Sequence, residues 1–171
     1  MWKTVTTEYF DTRFGRIDAN IKDRGCRNII KRINKELRIK PLVIINRLYW
    51  ENEPITEAVA NPLIWPDPIA YYATTGSTEI VINMPSPFRH DLFKFLYAHE
   101  AKHCWQHGYD GLSAIFQLEL DELNKEWNQN EKNANLFAFE KTGMRLEKFL
   151  KEFYKTYLRP KIGKINNDYH R

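Results

Sequence analysis

The sequence predicts an α+β fold. Residues 69–83 hold two β-rich runs broken at Thr-Gly-Ser, the pattern of a hairpin. Residues 16–38 repeat apolar side chains at helical spacing, and from residue 87 to Pro160 the chain reads as helices divided by glycine and proline. With 171 residues, the chain suits one ordinary domain rather than two. A hydrophobic share of 43% can fill a core, and 28% charged residues is a normal globular balance.

The first helix places Ile17, Ile21, Ile29, Ile30, Ile33 and Leu37 on one stripe, with Lys and Arg on the remaining faces. Gly25 weakens it, and Pro41 ends it. Leu42-Val43-Ile44-Ile45 then reads as a short buried strand. Pro54, Pro62, Pro66 and Pro68 mark residues 51–68 as a loop. The hairpin follows as residues 69–74 and 79–83. Ser86 as cap and Pro87 at the first helical position open a central helix expected over residues 87–107, with Gly108 as its stop. Leu92, Phe93, Phe95, Leu96, Ala98 and Trp105 make it too apolar for a surface helix. Further helices are expected over residues 113–127, 129–142 and 144–158. Residues 1–160 read as a single domain, and residues 161–171 as a loose basic tail.

No stretch approaches the roughly 18 uninterrupted apolar residues of a membrane span. The first sixteen residues lack the apolar core of a secretory signal, so the expected setting is cytoplasmic, with no membrane partner. Cys26 and Cys104 are too few for a disulfide scaffold and read as two buried thiols. The net charge of +4 is segregated. Residues 16–47 carry ten Lys/Arg against three acids, residues 145–171 eight against three, and residues 48–144 six against fourteen. Such basic flanks can meet nucleic acid or an acidic protein, but the simpler reading is the solvated faces of amphipathic helices.

The chemistry lies in the central helix, at His99-Glu100-Ala101-Lys102-His103. Four residues advance a helix by about 400°, so the two imidazoles lie about 40° apart in azimuth and about 6 Å apart along the axis. Both can converge on one tetrahedral zinc. Glu100 can then reach a water at the open coordination position, take its proton and deliver it to a leaving amine. A third ligand is needed. His107 continues the series, but three consecutive turns of one straight helix cannot surround an ion. Asp110 and the downstream acids Glu119, Asp121, Glu122, Glu126, Glu131 and Glu140 compete. Glu131 is favoured by its surroundings. Asn135, one turn later, can support a histidine through its second ring nitrogen, and Ala134 and Ala138 allow close helix approach. His107, Tyr109 and Tyr97 are candidates, by proximity alone, for stabilising a developing oxyanion.

His99-Glu100-x-x-His103, followed by Glu131-x-x-Ala134-Asn135-x-Phe137-Ala138, resembles the compact HExxH gluzincin metallopeptidases, in particular the ImmA/IrrE-type peptidases. The resemblance covers residues 69–142. It implies a minimal zincin-like domain: a small twisted sheet with an edge hairpin, packed on the HExxH helix and joined by several further helices. It also implies a zinc metallopeptidase, with Zn2+ held by His99, His103 and Glu131, Asn135 behind the first histidine, and peptide hydrolysis through a zinc-bound water activated by Glu100. An extended protein or peptide substrate would pair along Tyr71, Tyr72, Ala73 and Thr74. The competing expectation is an inactive zincin-fold binding or regulatory protein that uses its basic ends to hold nucleic acid or an acidic partner.

Overall fold

β-Branched residues dominate two segments of the chain, and both become central strands. The computed structural model describes residues 2–11, 18–50, 70–73, 79–85, 87–107 and 120–158. Strands β1 (Trp2–Asp11), β2 (Asp18–Ala19), β3 (Leu42–Trp50), β4 (Ala70–Ala73) and β5 (Glu79–Pro85) form one mixed sheet. Their order is β2-β1-β3-β5-β4. β3 and β5 run parallel at the centre, while the β1–β2, β1–β3 and β4–β5 pairs are antiparallel. Val43, Ile45 and Leu48 of β3 and Ile80 to Ile82 and Met84 of β5 are buried. The continuous burial of Ile80 to Pro85 is what a strand covered on both faces requires, whereas burial largely alternates along β3. Thr7, Asn46 and Asn83 lie on one rung across β1, β3 and β5. Thr7 Oγ1 donates to Asn46 Oδ1 at 2.9 Å, and Asn46 Nδ2 donates to Asn83 Oδ1 at 2.9 Å. A one-residue slip would break both bonds, so the rung pins the register.

β1 and β2 are strands that neither the helical nor the hairpin periodicity reveals. The signal for β1 is compositional: Thr4, Val5, Thr6, Thr7, Tyr9 and Phe10 are all strand formers. β3 also runs to Trp50, well beyond the four residues expected of it. The expected hairpin does form, with Ala70 opposite Ile82 and Ala73 opposite Glu79.

The described residues form four helices: α1 (Arg24–Leu37), α2 (His90–His107), α3 (Leu120–Thr142) and α4 (Leu146–Phe153), the last closing in a π-helical turn, Tyr154–Leu158; α2 packs on β4 and β5, and the other three pack on α2. The molecule is therefore α+β. α1 starts eight residues later than its apolar stripe suggests. Asp23 caps it by accepting the Cys26 N–H at 3.0 Å, residues 18–19 pair with β1, and Ile21 reaches the core from outside the helix. Ile17 lies outside the described residues. Gly25 has a packing reason, because a Cβ there would come within 2.9 Å of the His90 ring. α1 ends at Arg38, whose φ of 55° is left-handed, with its N–H bonded to Asn34 O. A non-glycine residue in that conformation is strained by about 1–2 kcal/mol. Arg38→Gly is therefore expected to raise stability by about 0.5–1 kcal/mol after glycine's own entropy cost, read as a higher urea midpoint with unchanged slope.

α2 begins at His90 rather than at Pro87. Its first backbone bond runs from Phe93 N to Arg89 O, while the Pro87 carbonyl instead accepts from Tyr157 Oη at 2.9 Å. Ser86 and Gly108, the expected cap and stop, lie outside the described residues. α3 runs unbroken through residue 128, where two helices were expected to divide. The Asn128-Gln129-Asn130 run is polar but contains no glycine or proline, so it does not end a helix. The expected stop at Gly143 is present, with φ 69° and its N–H on Phe139 O at 2.7 Å. Phe149 of α4 stacks on Phe95 of α2 at 4.4 Å, and Phe153 and Tyr157 continue that aromatic seam. Residues 113–119 and the tail 161–171 lie outside the described residues. No helix among the described residues is long and apolar enough to cross a membrane.

Candidate metal centre

Small side chains bring the two helices of the site together. Ala98 and Ala101 of α2 and Ala134 and Ala138 of α3 are all fully buried, and α2 and α3 are in extensive contact. The helices run antiparallel, since His99 meets Asn135 while His103 meets Glu131. The expected i, i+4 geometry is realised: the His99 and His103 rings lie 4.7 Å apart, with their Nε2 atoms 3.0 Å apart. Glu131 reaches across from α3, placing Oε1 3.0 Å from His103 Nε2 and Oε2 3.4 Å from His99 Nε2. One ligand atom from each of the three residues falls within 4.8 Å of the others.

The outer ring nitrogens decide what this cluster can hold. His99 Nδ1 faces Asn135 Oδ1 at 3.0 Å, and His103 Nδ1 faces Gln106 Oε1 at 2.9 Å. Gln106 is itself oriented, because its Nε2 donates to the Asn130 carbonyl at 3.0 Å. The tautomer with its proton on Nδ1 donates to each of these oxygens and leaves a lone pair on each Nε2. In that tautomer two imine nitrogens and a carboxylate converge. Burial, the neighbouring His103 and the opposing pull of Glu131 leave His99 with a pKa pushed down to about 4, so it stays unprotonated at neutral pH. An all-acceptor cluster of two nitrogens and one oxygen fits a divalent cation, and its donor set matches zinc.

Glu100 is 8% exposed, on the same turn as His99. Burial first, and then the Glu131 carboxylate, push its pKa up to about 8. Both causes penalise negative charge, and a cation seated among the three ligands would oppose both.

The structure brings together His99, His103, Glu131 and Asn135 as the sequence suggests. Gln106 was not singled out as a partner of the site, although one turn after His103 an amide has the same reach that Asn135 has toward His99. Tyr71, Tyr72 and Ala73 lie on β4, the edge strand, which also contacts α2; Thr74 lies outside the described residues. Tyr97 is a core residue rather than an oxyanion donor, since it is wholly buried and its hydroxyl donates to Asn34 Oδ1 at 2.6 Å. Tyr109, Asp110 and Glu119 lie outside the described residues, and Glu140 is exposed away from the cluster. Cys26 and Cys104 are buried free thiols, each pushed up to about 12 chiefly by burial. Lys102 lies over the Trp105 ring at 3.6 Å from its centroid.

A second grouping, Asp23, Cys26 and His90, also has ligand atoms within reach of one another. Its chemistry is already committed elsewhere. Asp23 caps α1 and accepts from His90 at 2.8 Å, and the Cys26 thiol is strongly disfavoured as a thiolate. No family model, curated protein sequence or solved structure matches the chain, so the geometry of the site carries the functional reading.

Proposed function

We propose that the protein is a zinc-dependent peptidase with a zincin-like fold. The observation that supports this most directly is the convergence of His99 Nε2, His103 Nε2 and the Glu131 carboxylate beside a buried glutamate. His99 and His103 would hold the metal through Nε2, and Glu131 through carboxylate oxygen. Asn135 and Gln106 fix the two rings in the tautomer that presents those lone pairs. When bound, zinc supplies a Lewis acid that polarises a carbonyl and makes water a stronger acid. Glu100 takes a proton from the attacking water onto its carboxylate and returns it to the nitrogen of the leaving amine.

The sheet supports the peptide as substrate class. β4 is the last strand in the order, antiparallel to β5 and in contact with α2. Its outer edge can pair with an extended main chain running past the metal helix, a mode that binds a peptide with little regard to its side chains. The expected result is one zinc per chain, with cleavage of an unfolded polypeptide that stops on chelation and returns with zinc. One zinc per chain without any cleavage would leave a binding protein and overturn the peptidase reading.

A further inference from the structure

α1 carries a charge pattern that the metal centre does not use. Its buried side is complete, with Cys26, Ile30, Ile33, Asn34 and Leu37 packed inward. At 100° per residue, Arg24, Arg27, Lys31, Arg32 and Lys35 gather on the opposite side, and Arg38 follows at the cap. From Arg24 to Arg38 the stripe runs about 21 Å at 1.5 Å per residue. All but Arg27 are exposed.

What makes the stripe unusual is that its own acids are committed elsewhere. Asp23 caps the helix and pairs with His90, and Glu36 pairs with Lys141 of α3. Among the described residues no ion pair engages any of the six cations, although the Arg27 guanidinium donates to the Ile21 and Lys22 carbonyls. Arg32 also borders a cavity of about 400 Å3 between α1, α2 and α3, where Asn28, Glu36, His90, Lys94 and Lys141 join it. Lys94 thus extends the positive surface from α1 toward α2, while the charge of Lys141 is met by Glu36.

We infer that this stripe docks the phosphate backbone of a nucleic acid, at a surface separate from the metal cleft. Charge complementarity selects the occupant class, and what the stripe lacks narrows it. None of the exposed large hydrophobic residues among those described lies on α1. Protein interfaces draw their affinity from buried aromatic and apolar anchors, and membrane-surface helices insert an apolar face; α1 has neither to offer. A linear row of cations on a rigid helix instead suits a linear polyanion whose binding is driven by counterion release. Asn28 is the one neutral hydrogen-bonding side chain in the row, so the surface contacts phosphates and reads almost no base edges. His90 and Lys94 lie roughly 140–180° around α2 from His99 and His103, which leaves the metal cleft open while a nucleic acid is bound.

The test is fluorescence anisotropy of the full chain with labelled 20-nucleotide single strands and duplexes, titrated from low to moderate salt, with and without chelator. If all six cations meet phosphates, log affinity falls with log salt at a slope of about −5 on duplex and about −4 on single strand. Chelator leaves the affinity unchanged, and shuffled sequences bind equally. Arg24→Gln/Lys31→Gln/Lys35→Gln removes exposed charges only. It is expected to weaken binding by at least about 10-fold and to halve the salt slope. The charge-matched control Lys132→Gln/Lys148→Gln/Lys151→Gln is expected to change binding by less than about 2-fold. Absence of binding at low salt, an equal loss in the control, or displacement by poly-L-glutamate as effectively as by DNA would each overturn the inference. The last result would assign the stripe to an acidic protein.

Discussion

Replacing Glu100 with Gln is expected to lower zinc-dependent peptide hydrolysis by about 100- to 10,000-fold while one zinc per chain stays bound. The range is what a positioned general acid–base contributes. Glutamine preserves the shape of the side chain and cannot carry the proton. In the metal-free chain, burial and the Glu131 carboxylate disfavour the charged form of Glu100 and push its pKa up to about 8, so the substitution is not expected to unfold it. The neutral amide therefore has no charge to desolvate, and the melting temperature is expected to hold or rise. Initial rates on an unfolded quenched-fluorescence polypeptide, read beside metal content and thermal melting, separate the two effects. A variant that keeps zinc and also keeps its rate within a few-fold would remove Glu100 from the mechanism.

How much of this was legible in the sequence follows from how local each feature is. His99, Glu100 and His103 share just over one helical turn, so their convergence is fixed by helix geometry alone, and the structure reproduces it. Glu131 required a second helix to dock in the right register. Ala134 and Ala138 signalled close approach and Asn135 signalled a supporting amide, and all three lie where that reading needs them. The errors came where local pattern competes with tertiary pairing. Ile17 and Ile21 extend the helical stripe of α1, yet Asp23 captures the Cys26 N–H and residues 18–19 pair with β1, so the helix starts later. β1 earns its place by pairing with β3, a contact about forty residues distant in sequence that no short window contains. The central helix illustrates a third case. Ser86-Pro87 is a strong start signal, but the Pro87 carbonyl is taken by Tyr157 from the far end of the chain, and α2 begins three residues later.

The proposed metal ligands make the second large prediction. Zinc at about 1,000 times its Kd is expected to stabilise the chain by about 4 kcal/mol, read as a rise in melting temperature. His103→Ala is expected to abolish that rise. It removes one of the three donors among the described residues and also strands Gln106, whose Oε1 then has no ring N–H to accept from. His99→Ala and Glu131→Ala are expected to act in the same way. Asn135→Ala and Gln106→Ala should be milder, weakening zinc by about 10- to 100-fold, because they leave all three donors and lose only the orientation of one ring. His90→Ala is the informative control, since His90 belongs to the second grouping with Asp23 and Cys26. The zinc response is expected to survive it, because Asp23 remains committed to the helix cap and Cys26 to its protonated form. A zinc response lost in His90→Ala but kept in His103→Ala would move the metal to the end of α1. That result would separate it from Glu100, and the hydrolytic reading would fall with it.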